Sequence, residues 1–248
     1  MISTENVYIF SPMNYLTRCF ILLFLLLNSC GFTNVETYYN EALVYEERGD
    51  YKKAIELLSK ALAKQPDYID GLVFRAFCKS KLTKFEEAIN DLEKALELEP
   101  ENTMTLFNIA ENYKVLENYA KAVEYYTKAL ASKYVKICSA STQEKLLEIV
   151  NPFEDSDETG YEIENCELYF QRGFCYYYME AYELAIPDFE KSIEGNFENL
   201  NAYMFLGELY VKLNKTEKAC DCFSLAKKFG NHYAQEKIDS YCLPTKDS

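Results

Sequence analysis

Apolar residues recur along the chain in steps of four and then three, the spacing that sets three side chains on one side of an α-helix. Tyr38-Ala42-Tyr45, Leu106-Ala110-Tyr113, Tyr169-Gly173-Tyr176 and Tyr203-Gly207-Tyr210 form one set of such stripes, with Leu72-Ala76 as a shorter member. A second set reads Ala54-Leu58-Ala61, Ala88-Leu92-Ala95, Ala122-Tyr126-Ala129, Ala185-Phe189-Ser192 and Ala219-Phe223-Ala226. The two sets alternate, so the pattern predicts helices in pairs. Short polar stretches part the members of each pair: Arg48-Gly49-Asp50, Thr83-Lys84, Glu117-Asn118, Glu180-Ala181 and Asn214-Lys215. Connections this short make the two helices antiparallel neighbours. Small residues on the stripes let the helices approach closely, and the aromatics fill the space above and below.

The stripes also recur at a fixed interval, the mark of a repeat architecture. Ala54, Ala88 and Ala122 are spaced by 34, as are Ala61, Ala95 and Ala129, and Tyr51, Phe85 and Tyr119; Pro66 and Pro100 keep the same interval. Ala185 and Ala219 are again 34 apart, each followed four residues later by Phe189 or Phe223, and the step from Ala122 to Ala185 is one period plus 29 further residues. The order aromatic, Leu or Gly, Tyr, Ala, aromatic, Ala and Pro resembles the tetratricopeptide repeat in five successive units, over residues 35–136 and 166–233. The resemblance implies an all-α fold, a tetratricopeptide superhelix (α-solenoid) of five helix-turn-helix repeats. Such a unit cannot bury its apolar face alone, so stability arises between neighbours and the far end needs a cap. Residues 233–242, Y-A-Q-E-K-I-D-S-Y-C, supply one, with Ala234, Ile238 and Tyr241 on one side. The chain then divides into repeats one to three (35–136), an insertion (137–165), repeats four and five (166–233), and a capping helix with a tail (234–248). Lys79 departs from the family pattern where an aromatic is usual. Tyr134, Phe197 and Asn231 stand where a helix-ending proline would be, so those three ends are expected to fray or run on.

The first thirty residues carry a different signal. Cys19 to Leu27 is nine apolar residues long, preceded by Arg18 and followed by Asn28-Ser29-Cys30-Gly31. A bilayer span needs roughly 20 apolar residues, whereas a short apolar core behind a positive start reads as a secretory signal. Leu27-Asn28-Ser29-Cys30 resembles the bacterial lipobox, which implies cleavage after residue 29, a lipidated Cys30, and a linker at 30–34. Each buried CH₂ of an acyl chain contributes ~0.8 kcal/mol, enough to hold such a chain to a leaflet. Gly31 after the cysteine implies, by the same resemblance, the outer membrane facing the periplasm. Met13 makes a better signal start than Met1.

Composition narrows the function. Lys+Arg 26 against Asp+Glu 40 gives a net charge of −14, which repels phosphate backbones and argues against nucleic acid as a partner. Loss of residues 1–29 removes one acid, Glu5, and one base, Arg18, and leaves the balance unchanged. The one histidine, His232, lies near the cap, away from any acidic pair at helical spacing, so neither a catalytic constellation nor a cofactor is expected. Within the insertion, Ser141-Thr142-Gln143-Glu144 is a capping box ahead of a short helix that Asn151-Pro152 stops. Asp155, Asp157, Thr159 and Gly160 resemble half a calcium loop, but Cys166 stands where its bidentate glutamate belongs. A solvated acidic loop is the expectation there.

Of nine cysteines, Cys19 leaves with the signal and Cys30 takes the lipid. Cys220 and Cys242 lie on the last repeat's second helix and at the end of the cap, a candidate disulfide; Cys138 and Cys166 flank the insertion and form a second candidate. Cys78 and Cys175, each three residues after an arginine, read as core thiols. Zinc on Cys220, Cys222, His232 and Cys242 is disfavoured, because residues two apart on a helix point about 200° away from each other.

In tetratricopeptide proteins the first helices line a concave groove that holds a peptide or a partner helix. Helical phase places Tyr39, Leu43, Val73, Phe77, Phe107, Phe170, Phe174, Tyr177 and Met204 there, joined by Tyr178, with Glu46, Glu47, Asp70, Glu111 and Glu208 as an acidic rim. The family's Lys and Asn pattern for a terminal carboxylate is absent. The expected function is a non-enzymatic protein-binding scaffold, anchored to the envelope membrane by lipid and binding a segment of an envelope protein. The alternatives are a soluble cytosolic adaptor and, from a different class, an enzyme or metal-binding protein.

Overall fold

A computed structural model of the chain describes residues 34–138 and 163–242, and within them eleven α-helices. They are α1 (Val35–Glu47), α2 (Tyr51–Lys64), α3 (Ile69–Lys81), α4 (Phe85–Leu98), α5 (Thr103–Val115), α6 (Tyr119–Ala131), α7 (Asn165–Tyr178), α8 (Tyr182–Glu194), α9 (Asn199–Lys212), α10 (Thr216–Lys228) and α11 (Ala234–Tyr241). The signal segment 1–29, Cys30, the helix expected within 141–150 and the acidic loop with Asp155, Asp157, Thr159 and Gly160 lie outside the described residues.

Each hairpin closes the same way. The amides of Asp50, Lys84, Asn118, Ala181 and Lys215 donate to the carbonyls of Tyr45, Lys79, Tyr113, Tyr176 and Tyr210, at 2.8–3.0 Å, the long-range bond of a Schellman ending. That closure demands one residue with positive φ, and Gly49 (75°), Thr83 (60°), Glu117 (56°), Glu180 (58°) and Asn214 (58°) occupy the same position in the five turns. The next residue caps the second helix. Asp50 and Asn118 accept the amides of Lys53 and Lys121 at 3.1 and 3.3 Å, whereas Lys84, Ala181 and Lys215 offer no side-chain cap.

Consecutive helices pack antiparallel, and each pair lies against the next. The small stripe residues Ala54, Ala61, Ala88, Ala95, Ala122, Ala129, Ala185 and Ala219 are fully buried. At Gly207 a Cβ would fall 2.3 Å from the Phe223 ring, so only glycine allows α9 and α10 this close. Helix α6 packs directly on α7, so the array continues past the insertion. The insertion leaves and re-enters at one point. There Lys136 and Ile163, then Asn165 and Lys136, exchange backbone bonds of 3.1 and 2.8 Å, and Cys138 is bonded to Cys166.

The ends without proline do not run on. Helix α8 gives way to Gly195 and a left-handed Asn196 (φ 58°), α10 to Gly230 (φ 98°), and α6 to Ser132, which turns extended and donates its hydroxyl to the Glu101 carbonyl at 2.8 Å. A left-handed residue or a side chain that holds the backbone elsewhere stops a helix as well as proline does. Helix α11 buries Ala234 and sets Tyr241 over the Phe223 ring, while Cys220–Cys242 ties it to α10.

Two ion clasps sit inside this array. Arg75 donates to both carboxylate oxygens of Asp91 (2.8 and 2.7 Å), Lys79 to one of them (2.7 Å), and Arg75 also to Ser59 (3.1 Å). Arg172 repeats the arrangement with Asp188 (2.7 and 2.8 Å) and Thr127 (3.1 Å). Asp91 and Asp188 are buried, so each carboxylate depends on its full set of donors.

Candidate interaction face

The first helices of the five pairs, α1, α3, α5, α7 and α9, form one layer, and the repeat interval puts Leu43, Phe77, Glu111, Phe174 and Glu208 in one register on it. One turn on, Glu47, Lys81, Val115, Tyr178 and Lys212 form the next row. Large apolar side chains from the two rows reach solvent: Leu43 is 38% exposed, Phe77 42%, Val115 54% and Tyr178 50%. Between α3 and α5 the layer opens into a groove of about 450 Å³, with Phe77, Phe107 and Val115 on its walls and Ser80, Asn108 and Asn112 between them.

The register one turn earlier behaves differently. Phe170, expected on the face, is only 8% exposed; it is enclosed edge-on by Phe189, Phe197 and Phe205 at 5.6–6.2 Å. Its position on α7 aims between α8 and α9, so it belongs to the core. Tyr39 is half-buried against Tyr68 and Phe74 (5.5 and 5.4 Å), and Met204 packs on the same core as Phe170. Phe107 touches Tyr126 at 6.2 Å and still lines the groove.

The dense aromatic cluster is present, and Phe205, which helical phase alone did not single out, is its centre. Its ring stacks on Phe189 at 5.2 Å and meets Phe174 and Tyr177 at 5.6 and 5.1 Å. Phe205 shares its register with Phe74, a signal readable from the repeat interval. Tyr178 bridges to the preceding repeat by stacking on Tyr119 at 5.3 Å. Phe174 and Tyr177 are thus half-buried supports, and Tyr178 is the exposed member.

Two of the five rim acids are consumed internally. Glu111 accepts the Tyr126 hydroxyl and pairs with Lys114 at 2.7 Å; Glu208 accepts the Tyr177 hydroxyl at 2.8 Å and pairs with Lys237 of the cap at 2.6 Å. Burial, then the bond to Glu208, holds the Tyr177 phenol above its ordinary range. Lys81 stands over the Phe77 ring at 5.0 Å. The face is therefore aromatic with mixed charge in its middle and acidic at the α1 end, where Glu46 and Glu47 lie.

Metal-type donors converge at one place among the described residues, Cys138, Glu164 and Cys166; a disulfide between the two sulfurs removes the thiolates a metal needs. Cys220 is likewise bonded to Cys242, while Cys222 turns into the core.

Comparison with known proteins agrees with this geometry. The profile of the N-terminal TPR repeats region of Psidin matches residues 43–137, and the tetratricopeptide repeat profile matches 167–198 and 200–229. The chain is a tetratricopeptide repeat protein. Such an array is a scaffold for protein–protein interaction. A TPR repeat-containing protein of Methanocaldococcus jannaschii is 27% identical over 193 residues, which cover 76% of this tetratricopeptide chain and 28% of the relative. The chain thus spans less than a third of that relative's length. Among solved structures, MamA from Desulfovibrio magneticus superimposes with a TM-score of 0.64 at 15% identity, over 84% of this chain and 98% of MamA. YrrB, described as a TPR protein with an unusual peptide-binding site, gives 0.64 at 17% identity over 92% of this chain and 98% of YrrB. At these identities the likeness concerns the fold.

Proposed function

We propose that this protein is a non-enzymatic scaffold that holds an extended or helical segment of a partner protein on the face formed by α1, α3, α5, α7 and α9. The observation that carries the reading is the exposure of large apolar residues from two adjacent rows, Leu43 and Phe77 in one and Val115 and Tyr178 in the next, with Phe77 and Val115 lining the groove between α3 and α5. Contiguous exposed apolar surface of this kind marks contact sites, and aromatic anchors in shallow pockets supply most of the binding energy at interfaces. Half-buried Phe174, Tyr177 and Phe205 keep Tyr178 in place.

The same proposal places the protein in the cell envelope, held to a membrane through a lipidated Cys30. The apolar run at 19–27 and the Leu27-Asn28-Ser29-Cys30 sequence support it, and two disulfides fit an oxidising compartment. No helix among the described residues is long and apolar enough to cross a membrane.

A photo-crosslinking amino acid at position 77, activated in intact cells, should capture an envelope partner, and Tyr178→Ala should abolish that capture with helicity unchanged. Capture that persists in Tyr178→Ala refutes the assignment of this face. Labelled palmitate should enter the wild type and be lost in Cys30→Ala; a cytosolic, unlabelled wild-type protein refutes the anchor and leaves the face to be judged by the crosslink.

A further inference from the structure

The second layer of the array, α2, α4, α6, α8 and α10, is pinned in two places by an arginine from the first. Arg75 leaves α3, grips Asp91 on α4 and reaches Ser59 on α2. Arg172 leaves α7, grips Asp188 on α8 and reaches Thr127 on α6. One repeat after Ser59, Arg75 and Asp91 stand Glu93, Ile109 and Tyr125. Ile109 is wholly buried and carries no guanidinium, so no arginine of the first layer bridges α4 and α6.

At that interval the outer surface opens into a groove of about 620 Å³. Leu96 and Leu106 form its apolar lining, Glu93 and Glu97 stand on the α4 wall, and Tyr125 and Lys128 on the α6 wall. Glu93 and Glu97 make no salt bridge among the described residues, whereas Lys128 is already held by Glu124 at 2.6 Å and lies over the Tyr125 ring at 4.6 Å. Lys121 lies within electrostatic reach of Glu93 without a salt bridge to it, and the Tyr125 ring is taken up by Tyr113 at 5.7 Å and by Lys128, so the groove offers two carboxylates without a salt bridge and apolar walls, at the place where the neighbouring intervals carry an arginine.

We infer that this outer groove docks an arginine-bearing segment of a partner protein, whose guanidinium pairs with Glu93 and Glu97 at the interval where Ile109 stands in place of Arg75 and Arg172. Charge selects the occupant: a cation meets Glu93 and Glu97, while the −14 net charge of the chain repels acidic segments. Arginine suits it better than lysine, because a planar guanidinium bonds a carboxylate in a fork. The apolar stem of the side chain lies against Leu96 and Leu106. The groove is distinct from the face of the first layer, so either site can fail without the other.

The test is fluorescence anisotropy on the full, disulfide-intact chain with a labelled helical Ala/Leu peptide bearing two arginines four residues apart. Saturable binding is expected, weakened about tenfold by Glu93→Gln and unchanged by Glu183→Gln on the exposed side of α8. Replacing arginine by lysine should weaken binding, and by neutral citrulline should abolish it. The double change Ile109→Arg with Tyr125→Asp builds the clasp of repeats two and four inside the array and should close the groove to the peptide. Glu93→Gln, at the exposed rim, decides alone where that double variant perturbs folding. Absence of binding, equal affinity for the citrulline peptide, or affinity untouched by Glu93→Gln overturns the inference.

Discussion

Truncating Asp91 should unfold this protein far more readily than truncating a surface acid, and the remedy is written in its own third repeat. Asp91 is 1% exposed and takes three charged contacts into the interior, two bonds from Arg75 and one from Lys79, whose side chains are only 17% and 11% exposed. Asp91→Ala strands those cations, at a cost of about 3–5 kcal/mol for a broken buried pair. At roughly 2–4 °C per kcal/mol for a chain of this size, the melting temperature should fall by about 6–20 °C. Removing all three partners is another matter. Repeat three carries Ile109, Tyr113 and Tyr125 at the positions of Arg75, Lys79 and Asp91. The triple graft Arg75→Ile, Lys79→Tyr and Asp91→Tyr leaves no buried charge and should lie within about 1.5 kcal/mol of wild type, the range of tolerated hydrophobic swaps. Urea titration followed by circular dichroism measures both, with the slope compared as well as the midpoint, since a repeat array can unfold in parts. A loss below about 1 kcal/mol for Asp91→Ala, or a graft as damaging as the truncation, refutes the claim that the clasp is held by mutual neutralisation.

Three further outcomes follow from local geometry. Thr83 is β-branched at a left-handed position where repeat one has Gly49, so Thr83→Gly should stabilise by about 0.5–1 kcal/mol, and no gain in the urea midpoint argues against strain at that turn. Ala181 caps α8 with the backbone of Asp50 and Asn118 (φ near −84°, ψ 61–67°) but no acceptor; Ala181→Asp should add about 1 kcal/mol, and an unchanged midpoint counts against the capping argument. Burial holds the thiols of Cys78 and Cys175 up to about 12 and that of Cys222 to about 11, from an ordinary 9.0. Raised values mean that the folded state keeps protons the unfolded chain has lost, so this contribution is fully present below pH 9 and is lost as pH rises through about 11–12. Native protein at pH 8 should resist iodoacetamide at all three, and rapid alkylation without denaturant would contradict their burial.

The helices, their pairing and the repeat interval were legible because they rest on local periodicity, and a stripe of Ala, Leu and aromatics admits one burial. The exposed face was legible only in part. Leu43, Phe77 and Tyr178 share the face they were assigned, but Phe170 lies about 40° around the helix from Phe174, between two neighbouring helices, and a single helix's phase cannot say which of two adjacent residues meets a third helix. The repeat interval could have said so, since Phe170 aligns with Tyr39, Val73, Phe107 and Met204, five residues that vary in size as packing residues do. Glu111 and Glu208 looked like a rim because their partners, Tyr126 on the opposing helix and Lys237 on the cap, come from other elements. Helix ends at Tyr134, Phe197 and Asn231 were misjudged because proline is only one of several stops.

The arginine clasps show what registered comparison adds to periodicity. Arg75 and Arg172, Cys78 and Cys175, and Asp91 and Asp188 all lie 97 apart, two periods plus the 29 extra residues, so repeats two and four share an arginine–aspartate pair at positions where repeats one, three and five have neither residue. A charge that recurs on an apolar stripe must have its counter-charge at an equally recurrent position, and Asp sixteen residues after Arg satisfies that condition in both copies. At position 109 the arginine is missing together with its aspartate, since Tyr125 stands at the register of Asp91, while Glu93 adds a charge where the clasped repeats carry the neutral Ser59 and Thr127. The five units are therefore one backbone with unequal interiors: clasped pairs fix the stack at repeats two and four, the intervals α4–α6 and α8–α10 carry no clasp, and the outer groove lies at the first of these.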